Sequence, residues 1–242
     1  MNKKRLLTVM GGVVKPLTDP TTIEGLQIWY DFSDPSTIFV DDMVTPVSGD
    51  GDAIYGIADK SGNSKHAKQA TAELRPLYKT NIKNLLSAGL WDGTNDLLSF
   101  TELNLTDFTV YAVCTRRKDS AIIGGASLLD YINSGASDNS SIDIRPGGNV
   151  NFVIIPFVAG VIEIVCFSRG SGSISEFSNS IASVSNPKTN TDAWNPSILG
   201  SRGGTTAPMN GYEMEILIYN TNHSAKTRKR VTDYLNTKWS VF

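Results

Sequence analysis

At 242 residues, 40% hydrophobic and 19% charged with 21 glycines, the chain has the balance of a turn-rich folded protein, which excludes the disordered and low-complexity classes. Its formal net charge of −2 gives no whole-chain attraction to nucleic acid or to an anionic membrane. The length suits two small domains or one all-β sandwich, and with neither linker nor internal repeat in view a single domain is expected over 23–242, behind an arm and connector at 1–22.

Residues 1–14 open on a basic stretch and continue into an apolar run. That run is as short as the shortest secretory h-regions, is split by Gly11 and Gly12, and meets no Ala-x-Ala site before Pro16, so a retained arm is expected in place of a signal peptide. It is also too short to span a bilayer. Lys3, Lys4, Arg5 and Lys15 place +4 on the first fifteen residues, and a basic, apolar arm of this kind is expected to be held by something. Lys3, Lys4, Arg5, Leu6, Leu7 and Val9 are the candidate anchoring residues.

After a connector at 16–22, residues 25–32 alternate Leu26, Ile28, Tyr30 and Phe32 against Gln27, Trp29 and Asp31, predicting a strand with one apolar face. An acidic loop at 41–57 leads into a tight turn carrying Ser61, Gly62 and Asn63. Short β-rich runs follow at 108–114, 120–123, 127–132, 141–145, 149–155, 160–168, 173–177 and 197–201, separated by Gly, Asn, Ser or Pro. Many short strands at close spacing predict an antiparallel sandwich or jelly roll, not βαβ units. Residues 209–219 alternate again, with Tyr212, Met214, Ile216 and Ile218 opposite Glu213, Glu215, Leu217 and Tyr219, and read as a central strand. Ser224 is a candidate N-cap, and Val231, Tyr234, Leu235 and Trp239 recur at three- and four-residue spacing, predicting an amphipathic helix over 224–239.

Several of these residues fall into a recognisable order: Gly25-Leu26 with Trp29 and Asp31, then Asp59-Lys60-Ser61-Gly62-Asn63, Arg75-Pro76 with Tyr78, and Trp91-Asp92-Gly93-Thr94-Asn95-Asp96 with Leu98. Gly211-Tyr212-Glu213 with Glu215 and Leu217-Ile218-Tyr219-Asn220 then precede a helix closing on Tyr234-Leu235 and Lys238-Trp239. The ensemble resembles the concanavalin A-like, laminin-G-type jelly-roll modules, and more closely those of bacteriophage virion and tail proteins. That resemblance implies an all-β, antiparallel two-sheet jelly-roll sandwich with one C-terminal amphipathic helix and an extended N-terminal arm. It implies a hairpin turn at Ser178-Asn179-Ser180 as well. Ile57 stands where the pattern has a tryptophan.

Some relatives of the fold are glucanases that use glutamates on one strand, so Glu213 and Glu215, expected on the same face, are the candidates for a retaining pair. The glucanase run is Glu-x-Asp-x-Glu, the third acid is missing here, and the expected outcome is no catalysis, with Lys226, Arg228 or Lys229 neutralising the two. His66 and His223 lack companions at zinc-ligand spacing. Asp92, Asn95 and Asp96 offer three oxygens where calcium takes about six to eight, so no metal and no cofactor is expected. The basic stripe of Lys226, Arg228, Lys229, Arg230 and Lys238 lacks aromatic interleaving, which argues against nucleic acid. Cys114 and Cys166 sit in apolar runs and are expected as buried free thiols. Trp29, Trp91, Trp194 and Tyr212 are the aromatics able to stack on a sugar, and equally able to fill a core. Taken with the resemblance, these readings lead to the expectation of a non-enzymatic, lectin-like component of a virion surface. Its arm would attach it to other virion proteins of a capsid, tail or fibre, leaving host-glycan contact and self-association open. The alternative is a freestanding carbohydrate-binding or glucanase-like protein.

Overall fold

The structure, a computed structural model, describes residues 16–115, 117, 120–126, 131–134, 142–144, 151–153, 158–179, 181–182, 192–204 and 206–242. The anchoring residues expected at Lys3, Lys4, Arg5, Leu6, Leu7 and Val9 lie outside them. Strands β1 (Leu26–Asp31), β2 (Ile38–Phe39), β3 (Gly56–Ile57), β4 (Ala67–Lys68), β5 (Leu77–Lys83) and β6 (Leu86–Asp92) come first. Next are β7 (Leu98–Ser99), β8 (Phe108–Thr115), β9 (Ala121–Gly124), β10 (Tyr131–Ser134), β11 (Ile142–Ile144) and β12 (Asn151–Val153). The chain closes with β13 (Ile162–Gly170), β14 (Ser173–Ser178), β15 (Ile181–Ala182), β16 (Ile198–Leu199), β17 (Asn210–Tyr219) and helix α1 (Ala225–Trp239). Every run predicted between 108 and 201 overlaps one of these strands. Residues 127–130 of the third run lie outside the description.

All pairings are antiparallel and divide into two sheets. One has the order β15-β14-β13-β8-β17-β6-β5 with β1 added beside β17, and the other runs β12-β11-β10-β9-β16-β7-β4-β3-β2. The architecture is the expected two-sheet jelly-roll sandwich with a C-terminal helix. Strand β17 is central: β8 flanks one edge, while β6 and then β1 share the other. The first sheet has an apolar core on each face. Ile28, Tyr30, Phe32, Trp91, Val110, Ile216 and Ile218 pack against Ile57, Leu98, Ile123 and Leu199 of the second sheet. Tyr111, Val113, Ile164, Met214, Leu217 and Tyr219 pack under Val231, Leu235 and Trp239 of α1. Covered on both sides, β8 is buried at all eight residues, which is why its sequence reads as a continuous apolar run without alternation.

The strict alternation expected in β17 is broken. Its register against β8 shifts between Glu213 and Glu215, so a bulge puts both Met214 and Glu215 on the helix face, and Ile216 and Ile218 then fall on the opposite face from Met214. A second bulge in β1, between Leu26 and Ile28, likewise moves Leu26 to the helix side, away from Ile28, Tyr30 and Phe32. The helix itself follows expectation. Ser224 Oγ accepts from the Thr227 N–H, and Val231, Leu235 and Trp239 are buried. Cys114 faces the inter-sheet core and Cys166 the helix, so the two cysteines, neither in a disulfide, lie on opposite faces of one sheet. Ile57 fills its position as an aliphatic core residue. The Ser178–Ile181 pairing, with Asn179 at φ 47, closes the predicted hairpin.

Candidate functional site

The motif residues first prove to be fasteners. Asp59 takes the N–H groups of Trp29 (3.0 Å), Ser61 (2.9 Å) and Lys65 (3.1 Å), while Asn63 Nδ2 donates to the carbonyls of Leu26 and Gln27. The Asp-Lys-Ser-Gly-Asn turn thereby clips itself along β1. Lys60 Nζ completes the clip with Asp31 and Asp34, 2.9 Å from each. Arg75 donates to the carbonyls of Gln69 and Ala70 and lies over the Tyr55 ring. In the candidate calcium turn, Asp92 Oδ1 accepts from the Thr94 N–H at 2.7 Å, and Asp96 Oδ2 accepts from the Asp92 N–H at 2.9 Å. These oxygens serve the turn's own backbone. Among the described residues no group of three or more His, Cys, Asp or Glu is placed to hold a metal ion.

The glutamates of β17 are the chemically loaded pair, and the bulge separates them. Glu215 lies beneath α1 with two donors on each oxygen. Trp29 Nε1 (2.9 Å) and the Tyr234 hydroxyl (2.8 Å) reach Oε1, and Trp239 Nε1 (2.7 Å) and Lys238 Nζ (2.8 Å) reach Oε2. Lys238 also lies 2.6 Å from Asp31. Burial pushes the Glu215 carboxyl upward against the pull of Lys238. Burial acts the same way on Asp31, but Lys238, Ser33 and Lys60 outweigh it and hold that carboxyl below its ordinary range. Lys238, not Lys226, Arg228 or Lys229, is therefore the neutralising residue. Arg228 instead donates to the His223 carbonyl and covers the Phe177 ring, and Lys229 pairs with Asp233 on its own helix.

Glu213 faces the other way. Across the ladder it pairs with Cys114 of the inter-sheet core and with Gly89, where a Cβ would strike Trp91 and Phe32 of that same core. It is fully buried, neither carboxyl oxygen has a hydrogen-bond partner among the described residues, and burial raises its pKa well above the ordinary value. The expectation that both glutamates share a face is overturned by the bulge. Two carboxyls walled off on opposite faces cannot flank one glycosidic bond.

Trp91 and Trp194 are fully buried, Trp91 against Gly200 and Trp194 against Phe108 at 4.8 Å between ring centroids. Trp29 is half-buried, with its N–H on Glu215 and Lys60 over its ring. Of the four aromatics considered, Tyr212 alone has neither a core placement nor a side-chain hydrogen bond among the described residues, and it packs beside the helix-face core. His66 Nδ1 accepts from the Asp59 N–H. His223 is buried with Nδ1 2.9 Å from the Tyr111 hydroxyl, and burial, then Arg228, lowers its pKa to about 4. Sequence reasoning missed Arg169. This fully buried guanidinium donates to the carbonyls of Leu105, Thr106 and Asp192.

Open concavities flank α1 among the described residues: a groove of about 870 Å³ between the helix and the chain at Pro16, Leu17 and Thr18, and a smaller one of about 380 Å³ beside Phe177, Arg228 and Phe242. Lys226, Lys229, Arg230 and Tyr234 line the helix side of the larger groove. No helix among the described residues is long and apolar enough to cross a membrane.

With this geometry in place, comparison with known proteins decides the architecture. No protein-family model matches the chain, and neither does any curated protein. Among solved structures, it is similar to domain 4 of AbnA, a GH43 extracellular arabinanase from Geobacillus stearothermophilus, in complex with arabinotriose. The TM-score is 0.54 at 15% identity, over 87% of this chain and 98% of that one. A GH54 α-L-arabinofuranosidase gives 0.54 at 15% identity, over 76% of this chain and 50% of that one. A Trypanosoma rangeli sialidase gives 0.51 at 12% identity, over 89% and 33%. These likenesses show the fold. The chain spans half of the arabinofuranosidase and a third of the sialidase, and the full length of the arabinanase domain apart from 2%.

Proposed function

We propose that this chain is a non-catalytic jelly-roll module that acts by adhesion, as a surface component of a phage virion that contacts glycan. The observation that carries the non-catalytic part is the saturation of Glu215: four donors occupy its two oxygens beneath α1, leaving no lone pair directed at a sugar carbon. Its would-be partner Glu213 is sealed between the sheets. Support for glycan contact comes from the fold, since the similar arabinanase domain was solved in complex with arabinotriose. The virion assignment is supported by the ordered motifs from Gly25 to Trp239 and by the basic start of the chain.

Three measurements on the purified protein test this reading. Reducing-sugar release from β-glucan and arabinan is expected to stay at the buffer blank. A glycan array, run with and without calcium, is expected to give saturable binding. The full chain is expected to co-sediment with parent particles in stoichiometric amount, while a chain lacking residues 2–14 does not. Turnover of either polysaccharide would sink the non-catalytic reading, and failure of the full chain to sediment would sink the virion reading. Loss of array binding would sink the glycan contact.

A further inference from the structure

We infer that the groove between α1 and Pro16–Thr18 is the docking site for an acidic segment of a partner protein. The inference rests on the reading above that the chain is held to another virion protein, and it adds to the arm a second contact of stated chemistry. Charge is distributed unevenly along the chain. The first fifteen residues carry +4 and α1 carries +4, which leaves −10 for the remainder of a chain whose net charge is −2. Pro16, Leu17 and Thr18 form the wall opposite α1, so the positive charge of the helix borders this opening.

Within the groove, Asp233 is taken by Lys229 at 2.7 Å, whereas Lys226 and Arg230 form no ion pair among the described residues. Those two lie four apart on one helical stripe, about 6 Å from each other at Cβ. Carboxylates two residues apart on an extended segment are spaced about 6.6 Å, which matches that pair. Leu17, Pro16 and the ring of Tyr234 supply an apolar floor for the side chains between. The volume, about 870 Å³, falls in the range of ligand-holding clefts. Tyr234 gives its hydroxyl to Glu215, so the groove offers a sugar little hydrogen bonding from its aromatic residue. Two cations with one aromatic ring between them likewise make a short track for a nucleic acid backbone, which needs a charged groove and successive stacking rings. A second copy of this chain is a weaker fit, because its −10 is spread over some two hundred residues.

The test is fluorescence anisotropy of the full chain with a labelled peptide of alternating Glu and Leu, repeated with a labelled DNA duplex of equal charge. The expected result is peptide binding that weakens as salt rises from roughly 50 to 500 mM. Binding is expected to fall about tenfold or more in the K226E/R230E variant and much less in K3Q/K4Q/R5Q. An unchanged affinity in K226E/R230E overturns the proposal, as does tighter binding of the duplex than of the peptide. Circular dichroism of K226E/R230E confirms that both exposed and half-buried positions tolerate the change. The two readings fail separately. Peptide binding without particle co-sedimentation removes the virion partner and keeps the groove, and co-sedimentation that survives K226E/R230E does the reverse.

Discussion

At the scale of single residues, Glu213 carries the strongest prediction. Its carboxyl is enclosed between the sheets with no hydrogen-bond partner among the described residues, and burial raises its pKa well above that of the unfolded chain. A raised acid contributes its full stability below the unfolded value of about 4.3, and that contribution is lost as pH climbs toward the folded value. Glu213→Gln removes the titration. The variant is expected to melt close to wild type at acid pH and above it at neutral pH, by the equivalent of about 1–3 kcal/mol. Melts across that range check it, and a gap independent of pH would refute it. His223 has the opposite sign. Its pKa is held down to about 4, so its contribution is complete above the ordinary value and lost as pH falls from there to about 4. His223→Gln is expected to flatten the decline in melting temperature over that window, with Tyr111 keeping an amide partner. Neither group was legible in the sequence beyond its identity. Whether a glutamate on a strand faces water, a helix or a core depends on the parity of the positions before it, and one unseen bulge reverses that parity. Arg169 was hidden for a related reason, since its partners are backbone carbonyls more than twenty residues away.

Among the elements, α1 shows the division between what local pattern encodes and what packing decides. Its start, its length and its buried stripe follow from Ser224 and the recurrence of Val231, Leu235 and Trp239. Its choice of ion partner does not. Tyr234 and Lys238 form a second stripe at the seam between the buried face and water, and only the crossing of α1 over β1 and β17 brings that seam onto Glu215 and Asp31. Lys238→Ala leaves Glu215 with three neutral donors and no cation, while Asp31 keeps Lys60 and Ser33, and its expected cost is about 3 kcal/mol. Lys226→Ala, at an exposed position on the same helix, is expected to stay within about 0.5 kcal/mol. Urea unfolding of the two variants separates them, and equal costs would show that Lys238 is an ordinary surface lysine.

For the molecule as a whole, the topology dictates when the structure can form. β1 begins at Leu26, yet it pairs only with β17, so closing that ladder joins residues about 190 positions apart. β17 is also the strand that joins β6 to β8, which leaves the first sheet divided until the last 33 residues are present. Pairings this distant carry a large loop-closure entropy before any contact rewards it, and they fold slowly. The motif order made the sandwich legible in the sequence, because each motif is a local turn or clip with its own residues. The sheet order was not, because it is set by contacts that no local stretch contains. A chain ending at Met209 is therefore expected to lack a cooperative unfolding transition, although it retains most of the strands. The intact chain is expected to refold over milliseconds to seconds, as sandwiches dominated by long-range pairing do. Calorimetry of the truncated chain and stopped-flow refolding of the full chain check both. A cooperative transition in the truncated chain would mean that the second sheet and its core stand alone, with β17 and α1 added to a structure already formed.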